Sequence, residues 1–283
     1  MAESILKNLD PGQIRQAPFP HLVAENVLDR DYYAELDAAF PSLQAIAGEG
    51  TLANNTLYSR SARDLLGDED TPPLWRDFLD YHSSQAFLQE FLAFWNDAIE
   101  GVYPDLAQRF GKPLSDLRAD VRHPGREKTS ENLQKDVLLD CQLCMNSPVT
   151  EISSVRVPHV DNPFKLFAGL LYFRSPQDDS TGGDLNLYRL TNARYYHDRK
   201  LNVPERFIET VETVRYRPNT LILWLNTPHS LHGVTPRSCT QVPRRYVNFI
   251  GESYVTRPQG FFPLRRRPVD RAREALRSLV KSS

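Results

Sequence analysis

At 283 residues, with 25% of them charged and a formal net charge of -2, the chain is long enough to bury one large core and shows no global pull toward nucleic acid or a membrane surface. No apolar run approaches the length of a membrane span, and Met1-Ala2-Glu3-Ser4 opens no basic and apolar leader. Three cysteines, an odd number, fit a reducing compartment, so the expectation is a cytoplasmic protein.

Residues from about 20 to 120 carry a helical pattern. Asp29 stands as N-cap to a helix through Tyr33, Leu36 and Phe40, which Pro41 stops. Pro72-Pro73 opens another with Leu74, Trp75, Phe78 and Leu79. Ser83 or Ser84 caps a third, where Leu88, Phe91, Leu92 and Trp95 recur on one face, the stripe a helix lays against a sheet. Residues 121–136 read as a polar connection. From 137 to 255 the texture becomes β, with candidate strands at 137–145, 150–157, 164–173, 184–188, 211–216, 219–226 and 245–251. No helix separates most of these strands, which argues for an antiparallel sandwich or barrel. Cys141 and Cys144 lie three apart in a strand and face opposite ways, so they read as core cysteines and not as half of a zinc site. After 256 the chain is basic, and Val269, Ala272, Leu276 and Leu279 recur on one face of a docked helix.

The chemistry concentrates at His159-Val160-Asp161. The run Val155 to Asp161 alternates like a strand, which puts the imidazole and the carboxylate on one face, two corners of a possible metal site. The segment Pro228-His229-Ser230-Leu231-His232-Gly233-Val234 offers a third. His229 and His232, three apart, cannot both point inward from one strand. Two histidines and a carboxylate with open positions form the facial triad of non-haem Fe(II) oxygenases.

His159-Val160-Asp161, Leu170-Leu171-Tyr172-Phe173, Gly182-Gly183-Asp184-Leu185, Asn219 to Trp224, His232-Gly233-Val234 and Arg245-Tyr246, in that order, resemble the prolyl-hydroxylase-like branch of the Fe(II)/2-oxoglutarate-dependent oxygenases. The resemblance spans roughly residues 137–255. It implies an α+β chain with a double-stranded β-helix, or jelly-roll, core at 137–255. A mainly helical support region at 1–136 packs on that core, and a short helical extension at 256–283 completes one structural unit. It also implies Fe(II) on His159, Asp161 and His232, with His232 favoured because the distal ligand of the family sits in a His-x-Val step. 2-Oxoglutarate is the implied co-substrate, with O2. Arg245 is the expected partner of its distal carboxylate, since it shares a face with Val247 and Phe249, and Arg244 is the competitor. Tyr172 matches a position whose phenol bonds the same carboxylate in relatives, against the alternative of a plain core tyrosine. Gly182-Gly183 serves a turn needing positive φ.

The reaction so implied hydroxylates an unactivated C–H with release of succinate and CO2. A carboxylate at position 161 argues against halogenation, which leaves that position open for halide. The substrate is not legible. A compact chain without a docking module favours a small molecule or biosynthetic intermediate, with no nucleic-acid or membrane partner; a peptide or protein hydroxylase and a non-catalytic metal-binding jelly roll are the alternatives. Residues 50–70 and the 189–210 insert could form a polar lid.

Overall fold

The computed structural model describes residues 2–125, 135–192, 201–255 and 260–264. Seven helices come from the first half of the chain: α1 Arg30–Ala38, α2 Leu43–Ala47, α3 Ala62–Leu66, α4 Pro73–His82, α5 Gln85–Phe94, α6 Asn96–Val102 and α7 Leu106–Phe110. The strands are β1 His21–Glu25, β2 Leu57–Arg60, β3 Ala119–Val121, β4 Val137–Asn146, β5 Lys165–Tyr172, β6 Leu185–Leu190, β7 Ile208–Val214, β8 Thr220–Leu225, β9 His232–Val234 and β10 Arg244–Glu252. A 7-stranded sheet runs β1-β8-β5-β10-β4-β2 with β3 beside β4, and a 3-stranded sheet runs β7-β6-β9. The described chain is thus a mixed fold of helices and a large sheet, with no helix among the described residues long and apolar enough to cross a membrane.

The large sheet is buried on both faces, and this governs the site. One face meets the helices: Leu143, Val247, Phe249, Leu171 and Leu223 join Trp75, Phe78, Phe87, Phe91 and Trp95 in one core. Aromatic stacking locks this layer, with Phe91 on Phe167 at 3.9 Å between ring centroids. The aromatic stripe of α5 therefore does what its spacing requires. Ser84 caps that helix through the Phe87 amide, whereas Asp29 makes no such bond to α1, its side chain being taken by Lys7 and Asn8. The other face meets the small sheet: Cys144, Ala168, Tyr172, Ile222, Trp224 and Tyr246 pack against Leu185, Leu187 and Val214. Cys141 and Cys144 lie buried on these opposite faces as free thiols.

Three sequence expectations are corrected. The 20–120 region is not only helical, since β1, β2 and β3 join the large sheet through β8 and β4. These strands are short and gain their order from partners distant in sequence, which local periodicity does not register. Residues 150–157 form no strand, only an isolated bridge from Ser153 to Arg237, with another from Val149 to Thr240 just before them. His159 likewise sits outside any regular strand, bridged to His232, with Pro158 withholding an amide from the ladder. The helix expected within 256–283, and Arg194 to Lys200 of the insert, lie outside the described residues.

Candidate active site

His159 and His232 are held side by side by their own backbones. The His159 amide donates to the His232 carbonyl at 2.9 Å and the His232 amide returns the bond at 3.0 Å. Gly233 permits this approach, because a Cβ there would meet Pro158 N at 3.1 Å and the Arg156 carbonyl at 3.3 Å. The ring centroids lie 4.3 Å apart, and Trp224 covers His232 at 4.7 Å. Asp161 completes the group: one ligand atom from each of His159, Asp161 and His232 lies within 4.8 Å of the others. His229 is exposed in the preceding turn and belongs to no such group.

The protonation states suit metal ligation. His159 Nδ1 lies 2.9 Å from the Val157 carbonyl and His232 Nδ1 lies 2.9 Å from the Ser230 carbonyl, so each ring can place its proton on Nδ1 and turn the Nε2 lone pair inward. For His159 this tautomer is required, since Nε2 accepts from Arg156 Nε at 3.1 Å. Burial, helped by His232, pushes His159 down to about 3, and burial also lowers His232. Burial alone would raise Asp161, but the Lys165 ammonium and the two imidazoles outweigh it and hold the carboxyl well below the usual carboxylate range. Lys165 Nζ stands 3.2 Å from Asp161 Oδ1. Two neutral imidazoles and one carboxylate are a donor set suited to a divalent first-row metal.

The same cavity, about 350 Å³, is lined by Arg244 as well as the triad. Arg244 is 1% exposed, with its guanidinium between the rings of Tyr172, Tyr216 and Tyr246 at 4.8–4.9 Å from each centroid. Its Nε donates to the Gly183 carbonyl at 3.0 Å, while Nη2 has no partner and, among the described residues, no carboxylate pairs with it. Gly182 and Gly183 have φ of 77° and 72°, the left-handed region glycine favours. A Cβ on Gly182 would lie 1.9 Å from the Pro236 carbonyl oxygen, so the turn that presents the Gly183 carbonyl to Arg244 needs glycine for space as well. Beside it, the buried hydroxyl of Tyr172, both side-chain atoms of Asn146 and the indole N–H of Trp224 are also without hydrogen-bond partners. Burial pushes the Tyr172 phenol up to about 12, so it stays a donor. A buried cation surrounded by unsatisfied polar atoms fits a carboxylate ligand.

Arg245 is not part of this cavity, which corrects the sequence expectation. Its Nη2 pairs with Asp37 of α1 at 2.7 Å, its Nε donates to the Phe173 carbonyl and its guanidinium lies over Phe40. The parity argument placed it correctly with Val247 and Phe249, but that face meets the helices. Since both faces of the sheet are buried, facing inward does not mean facing the site. Sequence reading also passed over Asn146, which pairs in register with Arg244, and Lys165, whose spacing of four from Asp161 was the available signal. Of the expected lid, Leu57 borders the cavity, while Asn54 is tied to Thr150 and Glu151.

No protein-family model and no curated protein matches the chain. Solved structures similar to it include a prolyl hydroxylase from Trichoplax adhaerens in complex with a hypoxia-inducible-factor peptide (12% identity over 90% of this chain and 93% of that one, TM-score 0.47). Others are a prolyl-4-hydroxylase from Pseudomonas putida (11%, 82% and 92%, TM-score 0.40) and a non-haem α-ketoglutarate-dependent epimerase of nogalamycin biosynthesis (13%, 82% and 76%, TM-score 0.43). At this distance the likeness does not say what this chain does; that rests on the site.

Proposed function

We propose that the chain is a non-haem Fe(II)/2-oxoglutarate-dependent dioxygenase with a double-stranded β-helix core, acting on a small molecule. The observation that carries this reading is one cavity bordered by a His-Asp-His cluster and a buried arginine without an anion. Metal and 2-oxoglutarate with O2 would supply oxidation of an unactivated C–H, coupled to formation of succinate and CO2.

The roles of the chain's own residues follow from their surroundings. His159 and His232 offer neutral Nε2 atoms, each ring aimed by the carbonyl two residues before it. Asp161 offers a carboxylate that Lys165 keeps ionised and oriented. Arg244, and not Arg245, takes the distal carboxylate of 2-oxoglutarate, with the Tyr172 hydroxyl as second donor. Trp224, Ala168, Leu170, Leu185 and Val234 form apolar walls that limit water around the reacting centre.

The test is turnover of 2-oxoglutarate. Protein with Fe(II) and ascorbate in air should release succinate, slowly by itself and faster with a true substrate, and His159→Ala should abolish release. Metal binding without succinate under any substrate pool would contradict the reading and favour a binding protein.

A further inference from the structure

Two cations lie beside the triad from opposite directions along the chain. Arg156, three residues before His159, reaches His159 Nε2 from its Nε at 3.1 Å, and Lys165, four residues after Asp161, reaches Asp161 Oδ1 at 3.2 Å. Both border the 350 Å³ cavity. The Nε2 lone pair that Arg156 uses is the one a metal would take, so metal ligation by His159 and this hydrogen bond exclude each other. With His159 so engaged, the guanidinium of the exposed Arg156 is released at the border of the cavity, and among the described residues no carboxylate pairs with it.

Charge then decides what the mouth accepts. The charged groups bordering the cavity among the described residues are Arg156, Lys165 and Arg244 against Asp161 alone. A divalent ion and a dicarboxylate co-substrate cancel each other. The chain's own groups leave a positive excess around the cavity, and a partly enclosed cleft focuses the field on anions. The volume is near the lower end for ligand pockets, roughly 300–1,000 Å³, and the co-substrate shares it.

We propose that the oxidised substrate is a small carboxylate, an amino acid or organic acid, whose anionic group is received by Arg156 with Lys165 alongside. This rests on the dioxygenase reading. A planar guanidinium offers a carboxylate two parallel N–H donors, an interaction an amide cannot replace.

The experiment uses the full chain with Fe(II) and 2-oxoglutarate under anaerobic conditions. The visible charge-transfer band of the chelate is checked first; if it is missing, the dioxygenase reading has failed rather than this inference. Proteinogenic amino acids and short organic acids are then titrated, each beside its primary amide, together with capped acidic peptides, following the change in the band as substrate binds. At least one free acid should bind about tenfold or more tighter than its amide, a difference of about 1.4 kcal/mol. Arg156→Gln should erase that preference and Arg156→Lys restore part of it. Amides binding as well as acids, no acid binding, binding of the peptides only, or an unchanged preference in Arg156→Gln would each overturn the proposal. If Arg156→Gln does not fold, the wild-type comparison of acid with amide decides alone.

Discussion

Adjacent arginines on β10 have opposite fates, and substitution separates them. Arg244→Met removes the buried cation proposed to pair with the distal carboxylate of 2-oxoglutarate, so the KM for 2-oxoglutarate should rise about a hundredfold or more, read from succinate formation. Arg245→Met should leave that KM within about twofold, because the ion pair it loses is with Asp37 on the helix side; the expected effect is a loss of up to about 1 kcal/mol in denaturant unfolding. Tyr172→Phe removes one neutral donor to a charged group and should raise the same KM about tenfold. Equal effects of the two arginine substitutions would contradict the assignment.

At the scale of elements, the site depends on how closely β9 meets the irregular segment before it. Gly233→Ala places a methyl group where Pro158 N and the Arg156 carbonyl already stand, so the His159–His232 backbone pair must open by a few tenths of an ångström. Fe(II) affinity should fall about tenfold, on the scale seen when the groups that orient metal ligands are disturbed, while 2-oxoglutarate recognition by Arg244 persists. This contact also marks how far sequence can be read. The helices from Pro73 and Gln85 and most β strands were legible, because caps, prolines and apolar spacing are local signals. The strands β1 to β3 were not, being short segments ordered by distant partners. His159-Val160-Asp161 was legible as a cluster though not as a strand. The choice between Arg244 and Arg245 was beyond parity, since only the tertiary layering tells which buried face carries the cavity.

For the molecule as a whole, acid should weaken folding through buried neutral histidines. His82 accepts from the Ile5 amide at Nε2 and pairs through Nδ1 with the Phe78 carbonyl, between Phe78, Phe87 and Phe249, and burial pushes it down to about 3. The unfolded chain binds that proton near the ordinary value and the folded chain does not. The stability is therefore complete above that value and is lost as pH falls toward 3. Between pH 7 and 5 His82 alone should cost roughly 2 kcal/mol, measured by urea unfolding at each pH. His82→Leu should have a shallower pH slope over that range, although lower stability at pH 7 because the Ile5 amide and the Phe78 carbonyl lose their partner. An unchanged slope would show that His82 is not the group responsible.

The central claim, that one cavity uses His159, Asp161 and His232 to hold a metal that 2-oxoglutarate would chelate, is tested most directly by anaerobic visible spectroscopy. Wild-type protein with Fe(II) and 2-oxoglutarate should show the charge-transfer band of the chelate. His159→Ala and His232→Ala should abolish it, and His229→Ala should leave it intact. No band in the folded wild-type protein, or a band that survives His232→Ala and disappears in His229→Ala, would contradict the account.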